Sequence, residues 1–408
     1  MDPQSASLTN DVRRNTVLLA VAMAVYSSVL QLVAAVSSIT FVLVTGIEGL
    51  LGLGPAIFLI ASGLAAVPAG RLMDRVGRKP VILGGYVLSS TGCCLTALAT
   101  NLGSGAILIL GFGMTGAANG IALLIRTAAG DMYPPARRAR GISYVLFGSV
   151  FGAILGPAVF GPLFSDRELD AAALTVPWLA AAGISLIALV VVSLVRPDPK
   201  VIAERYAAED GPTPPAAPLA EILRRPGVRP AMLAALASFG VMVSVMNLTG
   251  YVVVDHHHHH QSDVFPIIGA HVLGMYALVL FVGALIDRIG RPIALAAGLL
   301  VMGVSTIGML FFDSVPATAG LLFGLGVGWN VSFVAATAQL VDLTNVSERG
   351  RLMGFNDQLA AFLGAGLALL GGFALDTVGV AALAIGATAI VAAPVLWLAP
   401  RRAVVSRA

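Results

Sequence analysis

The sequence predicts an all-α integral membrane protein with twelve transmembrane helices in two pseudo-symmetric six-helix bundles. Three observations carry this prediction. Of the 408 residues, 58% are hydrophobic and 11% charged, against about 25% charged in a soluble domain, and the mean hydropathy is +0.92. Uncharged runs long enough to cross a bilayer recur along the whole chain, and charged motifs of the first half return in the second. The composition excludes a soluble enzyme and makes lipid the main solvent. The 46 glycines, against only 3 tryptophans, suit close contact between helices in lipid. A formal charge of +3 gives no reason to expect nucleic acid as a partner. Cys93 and Cys94 are adjacent and are the only thiols, so no disulfide framework is expected.

Stretches free of Asp, Glu, Lys and Arg cover residues 15–47, 49–70, 80–125, 141–165, 171–195, 230–254, 264–286, 292–312, 314–341, 358–375 and 377–400. A spanning helix needs about 20 apolar residues. The run 80–125 is therefore two helices with a turn at Asn101-Leu102-Gly103-Ser104, and the spans number twelve. An even number puts both termini on one side. If the spans alternate, 22 of the 24 basic residues share a face, the exceptions being Arg126 inside span 4 and Arg167 in an outer loop. Cytoplasmic loops retain Lys and Arg, so a multi-pass cell-membrane protein with cytoplasmic termini is expected. The first apolar run is too long for the core of a cleaved signal peptide. Residues 197–229, rich in Pro and charge, read as a flexible cytoplasmic linker between bundles at residues 1–196 and 230–408.

The two halves are related. Gly70-Arg71-Leu72-Met73-Asp74-Arg75-Val76-Gly77-Arg78 recurs as Gly283-Ala284-Leu285-Ile286-Asp287-Arg288-Ile289-Gly290-Arg291, an offset of 213. Asp131, followed by Arg138 and Arg140, recurs as Asp342, followed by Arg349 and Arg351, at an offset of 211 that Asn119 and Asn330 share. Three marks at nearly one offset indicate a six-helix unit repeated in parallel, as in transporters whose substrate site lies between the repeats.

On these residues the chain resembles the major facilitator superfamily over essentially its whole length. Residues 70–80 match the superfamily's GxLaDRxGRkp loop signature, with a shortened second copy from Asp287 to Pro292. Span 5 carries Gly152, Gly156, Pro157 and Gly161 in a pattern similar to the GxxxGPxxGG of drug:proton antiporters, with Phe160 in place of one glycine. The arginine of those antiporters' fourth-span signature has no match, since Gly111 stands about where it belongs. The resemblance implies a secondary active transporter, not an enzyme, that exports small and largely apolar compounds by alternating access, coupled to protons. The alternatives are a carrier of a transition metal or metal chelate and an uncoupled facilitator. Its implied partners are the bilayer, a small-molecule substrate and protons, acting on a monomer.

The loop signature then reads as a conformational latch. Asp74 can sit against the positive amino end of span 11, near Gly354, and Arg78 can pair with Asp131. By the repeat, Asp287 should face the start of span 5 near Gly141, and Arg291 should pair with Asp342. Gly70 and Gly77 allow the tight turn and close helix approach.

In this superfamily helices 1, 4, 7 and 10 line the cavity, and here they carry Tyr26 and Gln31, Asn119 and Arg126, Asn247 and Tyr251, and Trp329 and Asn330. Polar groups within a span are costly and tend to face protein or water. Arg126 lies only five residues before Asp131, about 7.5 Å along a helix, so it could equally reach inward and anchor span 4. Proton coupling needs a titratable group, which leaves His271 in span 8 and Asp357 at the start of span 11. His271 is the better placed, because Asp357 could instead cap its helix. The run His256, His257, His258, His259 and His260, flanked by Asp255 and Asp263, admits three readings: a hydrated outer loop, a pH sensor or proton entry, and a transition-metal site. No other cofactor is expected, since there is no HExxH, no phosphate-binding Gly-Lys-Ser/Thr loop and no Ser/His/Asp set.

Overall fold

The computed structural model describes residues 3–46, 53–152, 154–155, 171–209, 215–253 and 264–398. In chain order the helices are α1 (Pro3–Thr45), α2 (Leu53–Val76), α3 (Arg78–Leu102), α4 (Gly105–Leu123), α5 (Ile125–Asp131), α6 (Arg138–Leu146), α7 (Thr175–Ser193), α8 (Pro199–Glu209), α9 (Leu219–Ile222), α10 (Val228–Tyr251), α11 (Val264–Tyr276), α12 (Val279–Ile289), α13 (Arg291–Gly308), α14 (Val315–Asp342), α15 (Arg349–Val378) and α16 (Val380–Leu398). No strand occurs among the described residues. Among the described residues eight helices are long and apolar enough to cross a membrane, and α11 with α12, bent by 46°, makes a ninth when the pair is counted as one span. Between α3 and α4 the chain turns at Gly103 in the left-handed region, φ +61°, and the Ser104 hydroxyl caps α4. That is the turn expected within the 80–125 run.

Two predicted spans are interrupted, and each interruption has a side-chain cause. Span 4 divides into α4 and α5 at Leu124, where the Arg126 guanidinium donates to the Leu123 carbonyl and the Thr127 N–H turns to Leu124 O at 2.9 Å. Span 8 divides into α11 and α12 where the Asn330 amide donates to the Met275 carbonyl. A polar side chain inserted into the backbone ladder is a recognised source of a kink. The stretch expected as a flexible linker also differs. Its beginning is the helix α8, with Ile202 and Ala203 buried, followed by the short α9.

The described chain forms two compact units. One comprises Met1–Pro134, Tyr144–Ala216 and Asn345–Gln358; the other comprises Pro135–Ser143, Ala217–Thr344 and Leu359–Ala408. The first unit's apolar core joins Val29, Leu32, Phe41, Phe58, Leu108, Phe112 and Trp178. Phe112 lies between Phe41 and Trp178, with ring centroids at 6.3 and 5.6 Å, and the buried Trp178 N–H is satisfied by the Thr40 hydroxyl at 3.2 Å. In the second unit α14 packs against both α11 and α13. Ser238 and Ser332 share a hydrogen bond there, and Val253, Ile267 and Leu322 form a smaller apolar cluster.

Candidate functional site

Each unit contains a cluster of paired charges, and the two clusters share one plan. In the first unit, α2 ends with Asp74 one turn from its terminus and α3 begins directly at Arg78. The Asp74 carboxylate accepts from the N–H groups of Gly350 and Arg351, at 2.8 and 2.7 Å, in the first turn of α15. A carboxylate is favoured there, because the first helical N–H groups lack intrahelical partners and carry partial positive charge. Arg78 is fully buried and donates from Nε to Asp131 at 2.7 Å, from Nη1 to Asp74 at 2.9 Å and to Met73 O at 2.8 Å, and from Nη2 to the Val346 carbonyl at 2.8 Å. Asp131 receives a second guanidinium, Arg349, at 2.6 Å. Gly70 is required by proximity, since a Cβ there would run into the Gly350 carbonyl.

The second unit repeats these contacts. Asp287 accepts from the Arg140 N–H at 3.1 Å, in the first turn of α6. Arg291 pairs with Asp287 at 2.9 Å and with Asp342 at 3.1 Å, and its Nη2 donates to the Pro135 carbonyl at 2.6 Å. Asp342 also receives Arg138. Arg138 and Arg349, and the Pro135 and Val346 carbonyls, stand in the same 211-residue relation as the aspartates. The units differ in exposure. The Arg78 and Asp131 side chains are 0% exposed, against 12% for Arg291 and 26% for Asp342. The contacts of Arg349, Arg138 and the two carbonyls were missed by sequence reasoning. Their signal was present, because Arg138 and Arg349 belong to the repeat that relates Asp131 and Asp342.

A third ionic contact lies deeper in the first unit. Arg126, in the apolar span Gly105–Asp131, pairs with Asp357 of α15, and both side chains are at least 95% buried. Asn356 Nδ2 donates to the same Asp357 oxygen at 3.2 Å, and the other oxygen, Oδ2, has no hydrogen-bond partner among the described residues. The expected capping role for Asp357 does not hold. The helix begins at Arg349, so Asp357 stands about two turns inside it, and the cap position is taken by Asp74.

The remaining candidates separate. Tyr26 is buried edge-to-face on Tyr86 at 5.6 Å, its hydroxyl without a partner among the described residues, and Gln31 is half-buried. Asn119 donates to Ser62 at 3.1 Å, while its repeat mate Asn330 holds the Met275 carbonyl, so both bind a neighbouring helix of their own unit. Trp329 stacks on Phe333 at 4.7 Å and meets Tyr276 edge-on at 6.2 Å. His271 is fully buried, with Nδ1 2.9 Å from the Leu322 carbonyl and Nε2 unpartnered among the described residues. Gly152 is buried against α1, where a Cβ would lie 2.6 Å from the Ala24 carbonyl. Asn247 and Tyr251 lie on α10, but their side chains are outside the described residues, as are Gly156, Pro157, Gly161 and His256 to His260. Among the described residues no group of three His, Cys, Asp or Glu is placed to hold a metal.

Residues 15–269 and 256–408 match the family profile of the Major Facilitator Superfamily. The chain belongs to that superfamily. This Major Facilitator Superfamily protein is a multi-pass membrane transporter and not an enzyme. The riboflavin transporter RfnT of Brucella anthropi is 30% identical to it over 345 residues, 85% of each chain. The uncharacterized MFS-type transporter YdeG of Bacillus subtilis is 29% identical over 335 residues, 80% of this chain and 77% of its own. Among solved structures, the human organic anion transporter MFSD10 (TETRAN) matches with a TM-score of 0.76 over 95% of this chain and 99% of its own, at 16% identity, which is a likeness of fold alone.

Proposed function

We propose that this superfamily member is a proton-coupled secondary transporter of a small, largely apolar organic compound, and that Asp357, held by Arg126, is the group that takes up and releases the proton. The observation that carries this reading is the buried Arg126–Asp357 pair. An ionisable pair at membrane depth is expensive to keep and marks a pathway by default. Protonating the carboxyl removes its charge and releases Arg126, which leaves a buried cation without its counter-charge, so the two protonation states favour different surroundings for α5 and α15. That difference is what a coupling site needs. Asp357 is preferred here to His271, whose ring is engaged with a backbone carbonyl and faces no acidic partner among the described contacts.

The likeness to a riboflavin transporter supports a planar heteroaromatic compound as the first substrate to test. The export direction rests on the antiporter-like pattern that begins at Gly152. The latch reading assigns the Asp74 and Asp287 contacts to closure of the cytoplasmic side, with both termini on that side. The test uses proteoliposomes carrying a pH gradient, offered riboflavin and a panel of apolar dyes. A substrate-dependent proton flux is expected from the parent protein, and Asp357→Asn should abolish that flux while substrate exchange down its own gradient persists. Parent-like proton flux in Asp357→Asn would sink the assignment.

A further inference from the structure

The break between α2 and α3 is one residue long. Gly77, at φ +105°, is the sole residue between the last helical position, Val76, and the first, Arg78. So abrupt a break leaves the final carbonyls of α2 and the first N–H groups of α3 without intrahelical partners. Members of both sets are met by two residues that follow α7, Asp198 and Lys200. Asp198 accepts from the Arg78 N–H at 3.1 Å and from the Lys79 N–H at 2.8 Å. Lys200 Nζ donates to the Asp74 carbonyl at 2.8 Å and to the Arg75 carbonyl at 3.4 Å. The carboxylate thus lies on the positive end of α3 and the ammonium on the negative end of α2, so each matches the helix dipole it meets.

The segment is itself fixed. The Lys200 N–H donates to Asp198 Oδ1 at 2.7 Å, and Val201 N–H turns back to the Asp198 carbonyl at 2.9 Å. Upstream, Asn15 of α1 donates to the Pro197 carbonyl at 2.9 Å and accepts from the Arg196 N–H at 3.1 Å. The requirement for glycine at 77 follows as well, because a Cβ there would stand 2.8 Å from the Asp198 carboxylate. At the repeat-related break, Gly290 has the same kind of backbone, φ +87°, yet nothing lies within 4 Å of its Cβ position.

We propose that Asp198 and Lys200 are positioning residues for transport. They hold the α2–α3 break so that Asp74 stays aimed at the first turn of α15 and Arg78 at Asp131, which makes the start of the connection after α7 a control point for the latch. The proposal rests on the reading of Asp74 as a closing contact. The test compares Asp198→Ala and Lys200→Met with the parent in the full, reconstituted protein, by backbone hydrogen exchange and by transport.

In Asp198→Ala, exchange at residues 78 and 79 should accelerate by about tenfold, the usual consequence of losing a helix cap. The amides of Gly350 and Arg351, whose acceptor is Asp74, should accelerate too in both variants. The maximal transport rate should fall at unchanged KM, and Asp198→Asn, which keeps an acceptor oxygen, should recover most of it. If exchange changes only at residues 78 and 79 while the amides of 350 and 351 and the transport rate stay at parent values, Asp198 merely stabilises α3 and the proposal fails. Should Asp198→Ala not fold, Lys200→Met decides by the same two readouts with the α3 cap left in place. Asp74→Asn separates the underlying reading: transport at the parent rate there overturns the closing contact itself, whereas a slow Asp74→Asn beside a normal Lys200→Met overturns only the positioning role.

Discussion

Asp131 accepts from two guanidinium groups, Arg78 and Arg349, and its side chain is out of reach of water. Removing one member of a buried ionic group strands the others, at a cost of about 3–5 kcal/mol. Asp342 makes the corresponding contacts with a quarter of its side chain exposed, where water screens the pair and lowers the cost of stranding its partners. Asp131→Ala should therefore lower the thermal midpoint of the purified protein substantially, and Asp342→Ala by much less. Equal shifts in a melting experiment would mean that the two clusters are energetically alike despite their different burial. The Arg78–Asp131 contact could be read from the sequence because both residues belong to motifs that occur twice. The Arg126–Asp357 pair could not. Its members are 231 positions apart, and at the repeat-related positions stand Thr337 and Leu146, so no second copy marks them.

At the scale of elements, apolar runs located the long helices in order but cut them short wherever a charge appeared. The run predicted at residues 358–375 is the interior of α15, which starts at Arg349, because Arg349 and Asp357 are neutralised within the first unit and so do not end the helix. The kinks were illegible for a related reason. Neither Pro nor Gly adjoins Leu124, and although Gly274 lies two residues before Tyr276, in each case a side chain takes a backbone carbonyl at the break. The glycine breaks, by contrast, were legible, and they allow a comparison. Gly77 and Gly290 both have positive φ with extended ψ, a region essentially confined to glycine, where another residue costs about 1–3 kcal/mol. Only at Gly77 does the new methyl also meet a carboxylate. Gly77→Ala should destabilise the protein more than Gly290→Ala, by thermal melting, and adding Asp198→Ala should remove part of the excess. Equal destabilisation by the two glycine substitutions would show that backbone strain alone accounts for both positions.

At the scale of the whole molecule, the repeat is carried down to single contacts, since each unit sets an aspartate against a first helical turn and an arginine on a second aspartate and a backbone carbonyl. The candidate proton groups break that symmetry. Asp357 belongs to the first unit and His271 to the second, so their substitution asks by which unit the proton passes. With Asp357 as the coupling group, His271 serves by binding the Leu322 carbonyl between α11 and α14. A glutamine amide can make that bond without titrating near neutrality, and leucine cannot. His271→Gln should then keep the parent's pH dependence of transport between about pH 5 and 8, the window in which imidazole changes charge. His271→Leu should lose stability by the hydrogen bond that joins α11 to α14, about 0.5–1.5 kcal/mol. Replacing His256 to His260 together by glutamine tests the outer run in the same assay. A flattened profile there would make the run the proton entry, and loss of saturable zinc-dependent transport at every pH would make it a metal site. A flattened profile in His271→Gln, beside an unaltered one in Asp357→Asn, would move the coupling group from the first unit to the second.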